Sequence, residues 1–148
     1  MSKVVFITGG ACGIGKAIAL ELAKNKYDIV INYLTSKQAA ADLKKKIIET
    51  YGVRCLTVCG DVSDVEQVDQ MINEVETQFG GVDILINNAA IDLSNLFHLK
   101  SAEEFRRTMD VNVVGAFNCS KRVYRHMLDQ EYIDQAQYDE ALNDDVYS

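Results

Sequence analysis

The chain has 148 residues, 48% of them hydrophobic and 25% charged, with no proline and a formal net charge of −7. That length fits one domain with a sizeable core. No apolar run reaches membrane-spanning length, and an acidic balance argues against nucleic-acid or anionic-membrane partners, which require a basic face.

The first element is a strand, Val4-Val5-Phe6-Ile7, leading into the glycine stretch Thr8-Gly9-Gly10-Ala11-Cys12-Gly13-Ile14-Gly15. Residues 16–24 then carry apolar positions at helical spacing. The start of such a helix offers free N–H groups and a partial positive charge, a seat for a phosphate. An ordinary strand-to-helix glycine turn would use the same residue types. Residues 27–32 form a continuous apolar run ending in Asn32, as a parallel strand covered on both faces requires. Thr35 and Gln38 offer a capping box for a helix running to Tyr51, stopped by Gly52. A third strand is expected over 54–59. A second capping box, Ser63 with Glu66, opens a helix to Phe79, and Gly80-Gly81 end it. The fourth strand is 82–86, followed by Asn87-Asn88-Ala89-Ala90 and a loop holding a short helix. Ser101 and Glu104 then cap a long helix reaching Leu128.

This β-α-β-α-β-α-β-α order predicts an α/β fold, a Rossmann-like doubly wound parallel sheet of four strands in the order 3-2-1-4. The ligand crevice is expected at the carboxyl ends of strands 1 and 4. Residues 1–128 contain all 15 Lys and Arg and 15 of the 22 acids, so they are neutral, whereas 129–148 carry the whole −7. The expected division is a folded domain over 1–128 and an acidic helical tail over 129–148. Residues 1–3 run straight into a strand, so no signal peptide is expected. Cys12, Cys55, Cys59 and Cys119 lack metal spacing and read as reduced thiols of a cytoplasmic protein, with Cys55 and Cys59 on one packed face. His98 and His126 are isolated, and no metal site is expected.

The loop Thr8–Gly15 resembles the T-G-x-x-x-G-x-G cofactor loop of the short-chain dehydrogenase/reductase family. Asp61-Val62 resembles that family's adenine contact, and Asn87-Asn88-Ala89-Ala90 its N-N-A-G motif, with Ala90 in place of glycine. The run Met109-Asp110-Val111-Asn112-Val113-Val114-Gly115 resembles the motif whose asparagine belongs to the catalytic tetrad. Phe117-Asn118-Cys119-Ser120-Lys121 continues in the style of 3-oxoacyl-acyl-carrier-protein reductases. The resemblance implies a dinucleotide held by Gly9, Cys12, Gly13, Ile14, Gly15, Asn32, Tyr33, Asp61, Val62, Asn88 and Ala89, with Asn112 at the catalytic end. Strand 2 ends in Asn32-Tyr33 rather than a carboxylate, and Ser36 and Lys37 are near, which favours NADP(H) over NAD(H). Ala11 and Cys12 stand where many NADP-preferring members carry a basic residue.

The family's remaining catalytic groups are a serine and a Tyr-x-x-x-Lys pair. The sole pair with that spacing, Tyr33 and Lys37, falls at the adenosine end; Tyr124, Tyr132 and Tyr138 are followed at the fourth position by Leu128, Ala136 and Leu142. A dinucleotide-binding domain without turnover is therefore expected. The alternatives are an oxidoreductase completed by another chain, or a truncated or chimeric structural fragment. Residues 127–142 loosely resemble the helical hairpin after the glycosyltransferase domain of class A penicillin-binding proteins. With no fifth strand beside it, strand 4 is expected to form a sheet edge. That edge and the apolar positions Phe105, Met109, Val113, Ala116 and Phe117 predict a homo-oligomer.

Overall fold

The computed structural model describes residues 2–129. In chain order the elements are β1 (Val4–Ile7), α1 (Gly13–Lys24), β2 (Asp28–Tyr33), α2 (Lys37–Tyr51), β3 (Cys55–Cys59), α3 (Val65–Phe79) and β4 (Ile84–Ile86). A 3-10 turn at Phe97–Leu99, α4 (Ala102–Met109), a π turn at Asp110–Val114 and α5 (Gly115–Asp129) follow. All strand pairings are parallel, in the order β3-β2-β1-β4, with Phe6 opposite both Val30 and Leu85.

The sheet is buried on both faces because β1 is apolar at every position and β2 carries the unbroken apolar run Ile29–Ile31 between Asp28 and Asn32. Val5, Ile7, Ile29 and Ile31 point to one side and pack with Ala19, Ala23, Ala40, Leu43 and Ile47 of α1 and α2. Val4, Phe6, Val30, Leu56 and Val58 point to the other and meet Val68, Met71, Ile72 and Val75 of α3 with Val111, Cys119 and Val123. The expected doubly wound Rossmann-like sheet is thus what forms. Its glycine loop and the loops after β3 and β4 gather at the carboxyl ends of the strands.

Several local expectations are corrected. The α3 cap is Asp64, whose side chain accepts from the N–H groups of Glu66 and Gln67, not Ser63. Ser63 is drawn away by Asp61. At α2 the box between Thr35 and Gln38 does not form: Ser36 is the cap residue, without a side-chain bond, and Gln38 Nε2 donates to Asp42 Oδ1 at 2.8 Å. At Ser101 and Glu104 the capping box is present. The long helix that follows is broken by the π turn, one extra residue in the ladder that apolar periodicity does not register. Cys55 is buried, but Cys59 is exposed at the lip of the edge strand β3, with its thiol 3.5 Å from the Leu34 carbonyl. The expected tail beyond Asp129 lies outside the described residues.

The opposite end of the sheet is closed by charge. Asp28, buried, accepts from Arg54 Nε and Nη2 at 2.9 and 2.7 Å, from Arg54 N at 3.0 Å and from Ser2 Oγ at 2.7 Å. The Arg54 guanidinium lies 4.3 Å over the Phe79 ring.

Candidate functional site

Thr8 directly follows β1, and its hydroxyl oxygen accepts from both Asn88 N and Ala89 N at 2.9 Å. Asn88 reciprocates: its Nδ2 donates to the carbonyls of Thr8 and Gly9 at 3.1 and 3.0 Å. The glycine loop is therefore laced to the chain leaving β4. On its other side Asn32 Oδ1 accepts from Gly9 N at 3.0 Å, and Asn32 Nδ2 donates to the Gly60 carbonyl at 3.0 Å. One buried amide thus ties together the loops after β1 and β3. Asn32 serves the frame, and its amide groups are committed to it.

Two glycines show why the loop needs that residue type. A Cβ on Gly15 would come within 2.6 Å of both Asn88 Nδ2 and the Gly9 carbonyl, so α1 can seat this close only without one. Gly13 has φ +53° and nothing within 4 Å of an added Cβ, so it fronts open space at the head of α1. Cys12 is the exposed N-cap and makes no side-chain cap bond; Ile14 is also exposed. The free N–H groups of the first helical turn thus face solvent beside a backbone bare of side chains, which fits an anionic diphosphate.

The cavity that opens here has a volume of about 320 Å³. Gly9 and Cys12 line it at the loop, Asn32 and Tyr33 at β2, Asp61 and Val62 after β3, and Asn88 and Ala89 after β4. Of the sequence-derived residues, Gly13, Ile14 and Gly15 stand beside it on α1, and Asn112 does not line it itself but is bonded to Ile91, which does. The Tyr33 hydroxyl is pushed above its ordinary range by burial and by the neighbouring Cys59 thiol. Asp61 is held below the ordinary carboxylate range. Burial works to raise it, but bonds from the Ser63 side chain and backbone and from Arg107 outweigh that.

Asn112 lies on the π turn, where its side chain brackets Ile91. Oδ1 accepts from Ile91 N at 2.8 Å and Nδ2 donates to Ile91 O at 2.9 Å. This fixes the loop that leaves Ala89-Ala90. Sequence reasoning missed Arg107, whose Nη2 donates to Asp61 Oδ2 at 2.7 Å and which also lines the cavity. No local pattern marks it, because its partner lies 46 residues away in the chain. It also missed the hydroxyl of Thr8 as a structural acceptor.

The family model for short chain dehydrogenases matches residues 3–132. The chain belongs to the short-chain dehydrogenase family. It is 38% identical over 130 residues to a 3-oxoacyl-acyl-carrier-protein reductase of Staphylococcus epidermidis, a match covering 88% of this chain and 53% of that protein. Among solved structures it is similar to L-sorbose reductase from Gluconobacter frateurii complexed with NADPH and L-sorbose. There the TM-score is 0.82 and the identity 31%, over 87% of this chain and 49% of that one. An NAD+-bound xylitol dehydrogenase matches with TM-score 0.81 and 31% identity, over 86% of this chain and 49% of that one. The chain spans about half the length of the curated relatives it matches, 53% in the Staphylococcus epidermidis case. The resemblance of residues 127–142 to a penicillin-binding hairpin finds no support in these comparisons. Among the described residues no helix is long and apolar enough to cross a membrane.

Proposed function

We propose that this chain is a dinucleotide-binding domain that seats NADP(H) or NAD(H) in the cavity between the glycine loop and Asp61, and that alone it does not turn over substrate. The observation that carries this is the loop itself. Thr8, Asn32 and Asn88 hold it from both sides, while Gly13 leaves the head of α1 open to a diphosphate. When bound, the nicotinamide would supply a hydride donor or acceptor. The chain's own residues do the rest: the first turn of α1 receives the diphosphate, Asp61 accepts from the adenine amine, and Asn112 with Ile91 shapes the nicotinamide end.

NADP(H) is the favoured cofactor. No carboxylate ends β2, and the cavity wall continues from Tyr33 through Leu34, Thr35 and Ser36 toward Lys37, room and charge suited to a 2′-phosphate. The relatives themselves include both an NADPH complex and an NAD+ complex. A second reading, an oxidoreductase completed by another chain, is favoured by one feature: β4 pairs with β1 and, among the described residues, with no other strand.

Calorimetric titration with NADPH and NADH tests the proposal. Binding of NADPH, more tightly than NADH, is expected. Gly13→Ala forces a Cβ onto a left-handed residue and into the diphosphate seat, so affinity should fall at least about tenfold while the fold loses only about 1–2 kcal/mol. Absence of heat with either dinucleotide at millimolar concentration overturns it.

A further inference from the structure

We propose that Arg107 is the positioning residue of the purine subsite: by bridging Asp61 and Ser63 it sets which carboxylate oxygen faces the cavity, and with it a preference for a 6-amino over a 6-oxo purine. The inference rests on the dinucleotide reading above and deepens it.

The geometry is a closed ring of three side chains. Arg107 Nη2 donates to Asp61 Oδ2 and Arg107 Nη1 to Ser63 Oγ, both at 2.7 Å. Ser63 Oγ and Ser63 N donate to Asp61 Oδ1 at 2.7 and 2.9 Å. The ring joins α4 to the loop after β3, and both Asp61 and Arg107 line the cavity. A carboxylate has about four acceptor positions. Ser63 uses two on Oδ1 and Arg107 one on Oδ2, so the remaining position is on Oδ2, the oxygen whose direction Arg107 fixes. A planar guanidinium bonded at two points holds that direction far better than a single-point donor.

What this oxygen selects follows from purine chemistry. A 6-amino group presents an N–H donor to a carboxylate, whereas a 6-oxo group presents a lone pair that an ionised acceptor repels. Hypoxanthine differs from adenine at this position in that sense, so the ratio of the two affinities reports the aim of Oδ2. If Arg107 only pinned α4 to the loop after β3, its loss would weaken both dinucleotides alike.

The test uses the full chain. Calorimetry is run with NADPH and NADH and with their nicotinamide hypoxanthine counterparts, alongside a thermal melt of each variant. The wild type should prefer the adenine form by about tenfold or more, the scale of one hydrogen bond to a charged group. Arg107→Met should still bind, with the preference reduced to about threefold or less, and Arg107→Lys should fall between. A preference unchanged in folded Arg107→Met, or a wild type that binds adenine and hypoxanthine forms equally, overturns the assignment. If Arg107→Met does not fold, Arg107→Lys decides by the same ratio. A wild type that binds no dinucleotide overturns the underlying cofactor reading instead, which is a different result from binding without discrimination.

Discussion

Thr8 and Asn88 hold each other by reciprocal hydrogen bonds, backbone N–H to hydroxyl at 2.9 Å and side-chain amide to carbonyl at 3.1 Å. This pair makes the ends of β1 and β4 one rigid lip, and the glycine loop hangs from it. Thr8→Val keeps the shape of the side chain and deletes the acceptor for two N–H groups, those of Asn88 and Ala89. The cost expected is about 2–4 kcal/mol, one unsatisfied buried donor contributing about 1–3. Denaturant unfolding checks this. Dinucleotide affinity should fall as well, because the lip then moves. A variant as stable as the parent would show that the hydroxyl is not the anchor.

Acid sensitivity should come from the far end of the sheet. Burial works to raise the Asp28 pKa, but hydrogen bonds from Arg54 and Ser2 and the Arg54 charge leave it below its ordinary 3.8. A group depressed in the folded state contributes stability that is present above its unfolded pKa and lost as pH falls through the folded one. The loss is therefore expected below about pH 4, and Asp61 should add to it in the same sense. Arg54 is half exposed, so solvent screens the pair and its contribution is modest. Asp28→Asn should cost about 1–2 kcal/mol at pH 7. It should also flatten the decline below about pH 4. An unchanged acid limb would rule this cluster out.

The four strands and their order were legible because each strand is built on a short apolar run set off by turn residues or a helix cap, and parallel crossovers leave few topologies. The capping box at Ser101 is local chemistry and was readable for the same reason. At Ser63 the identical pattern misled, since Asp61 two residues earlier competes for the hydroxyl and leaves Asp64 to cap. Asn32 was readable as a site-lining residue, but its inward-facing amide depends on the loops after β1 and β3 meeting over it. Arg107 was not legible at all: on the helix it is one of several charges, and only the path of α4 past Asp61 gives it a partner.

Turnover of 3-oxoacyl substrates is expected to be absent from the purified chain. A phenol with an ordinary pKa of about 10 is a poor acid or base at neutral pH unless a neighbour lowers it. Tyr33, the sole tyrosine followed by lysine at the fourth position, is instead pushed up by burial and Cys59. It also lines the cavity at the β2 end, away from Asn112. Oxidation of NADPH followed by absorbance checks this. Turnover that disappears in Asn112→Ala would show that the chain carries a working site; turnover that survives it would point to a contaminant.

Self-association should follow from the face formed by α4, the π turn and α5. Phe105, Met109, Val113 and Phe117 recur every four residues along it, and they are 58%, 40%, 53% and 62% exposed. A stripe of this kind is large for a free surface, and among the described residues β4 pairs only with β1, so it is the last strand at that end of the sheet. A two-fold partner would lay the same stripe against itself, each phenylalanine gaining about 1–2 kcal/mol from the surface it still exposes. Sedimentation at micromolar concentration should give a dimer or a higher closed oligomer. Phe105→Glu with Phe117→Glu places a charge at both ends of the stripe, and it should shift the chain toward monomer without lowering its melting temperature by more than a few degrees. The side chains at both positions already face solvent in the single chain, so their loss removes little core. A wild type that sediments as one species of monomer mass refutes the prediction, and an oligomer unmoved by the double substitution would place the contact at the β4 edge instead.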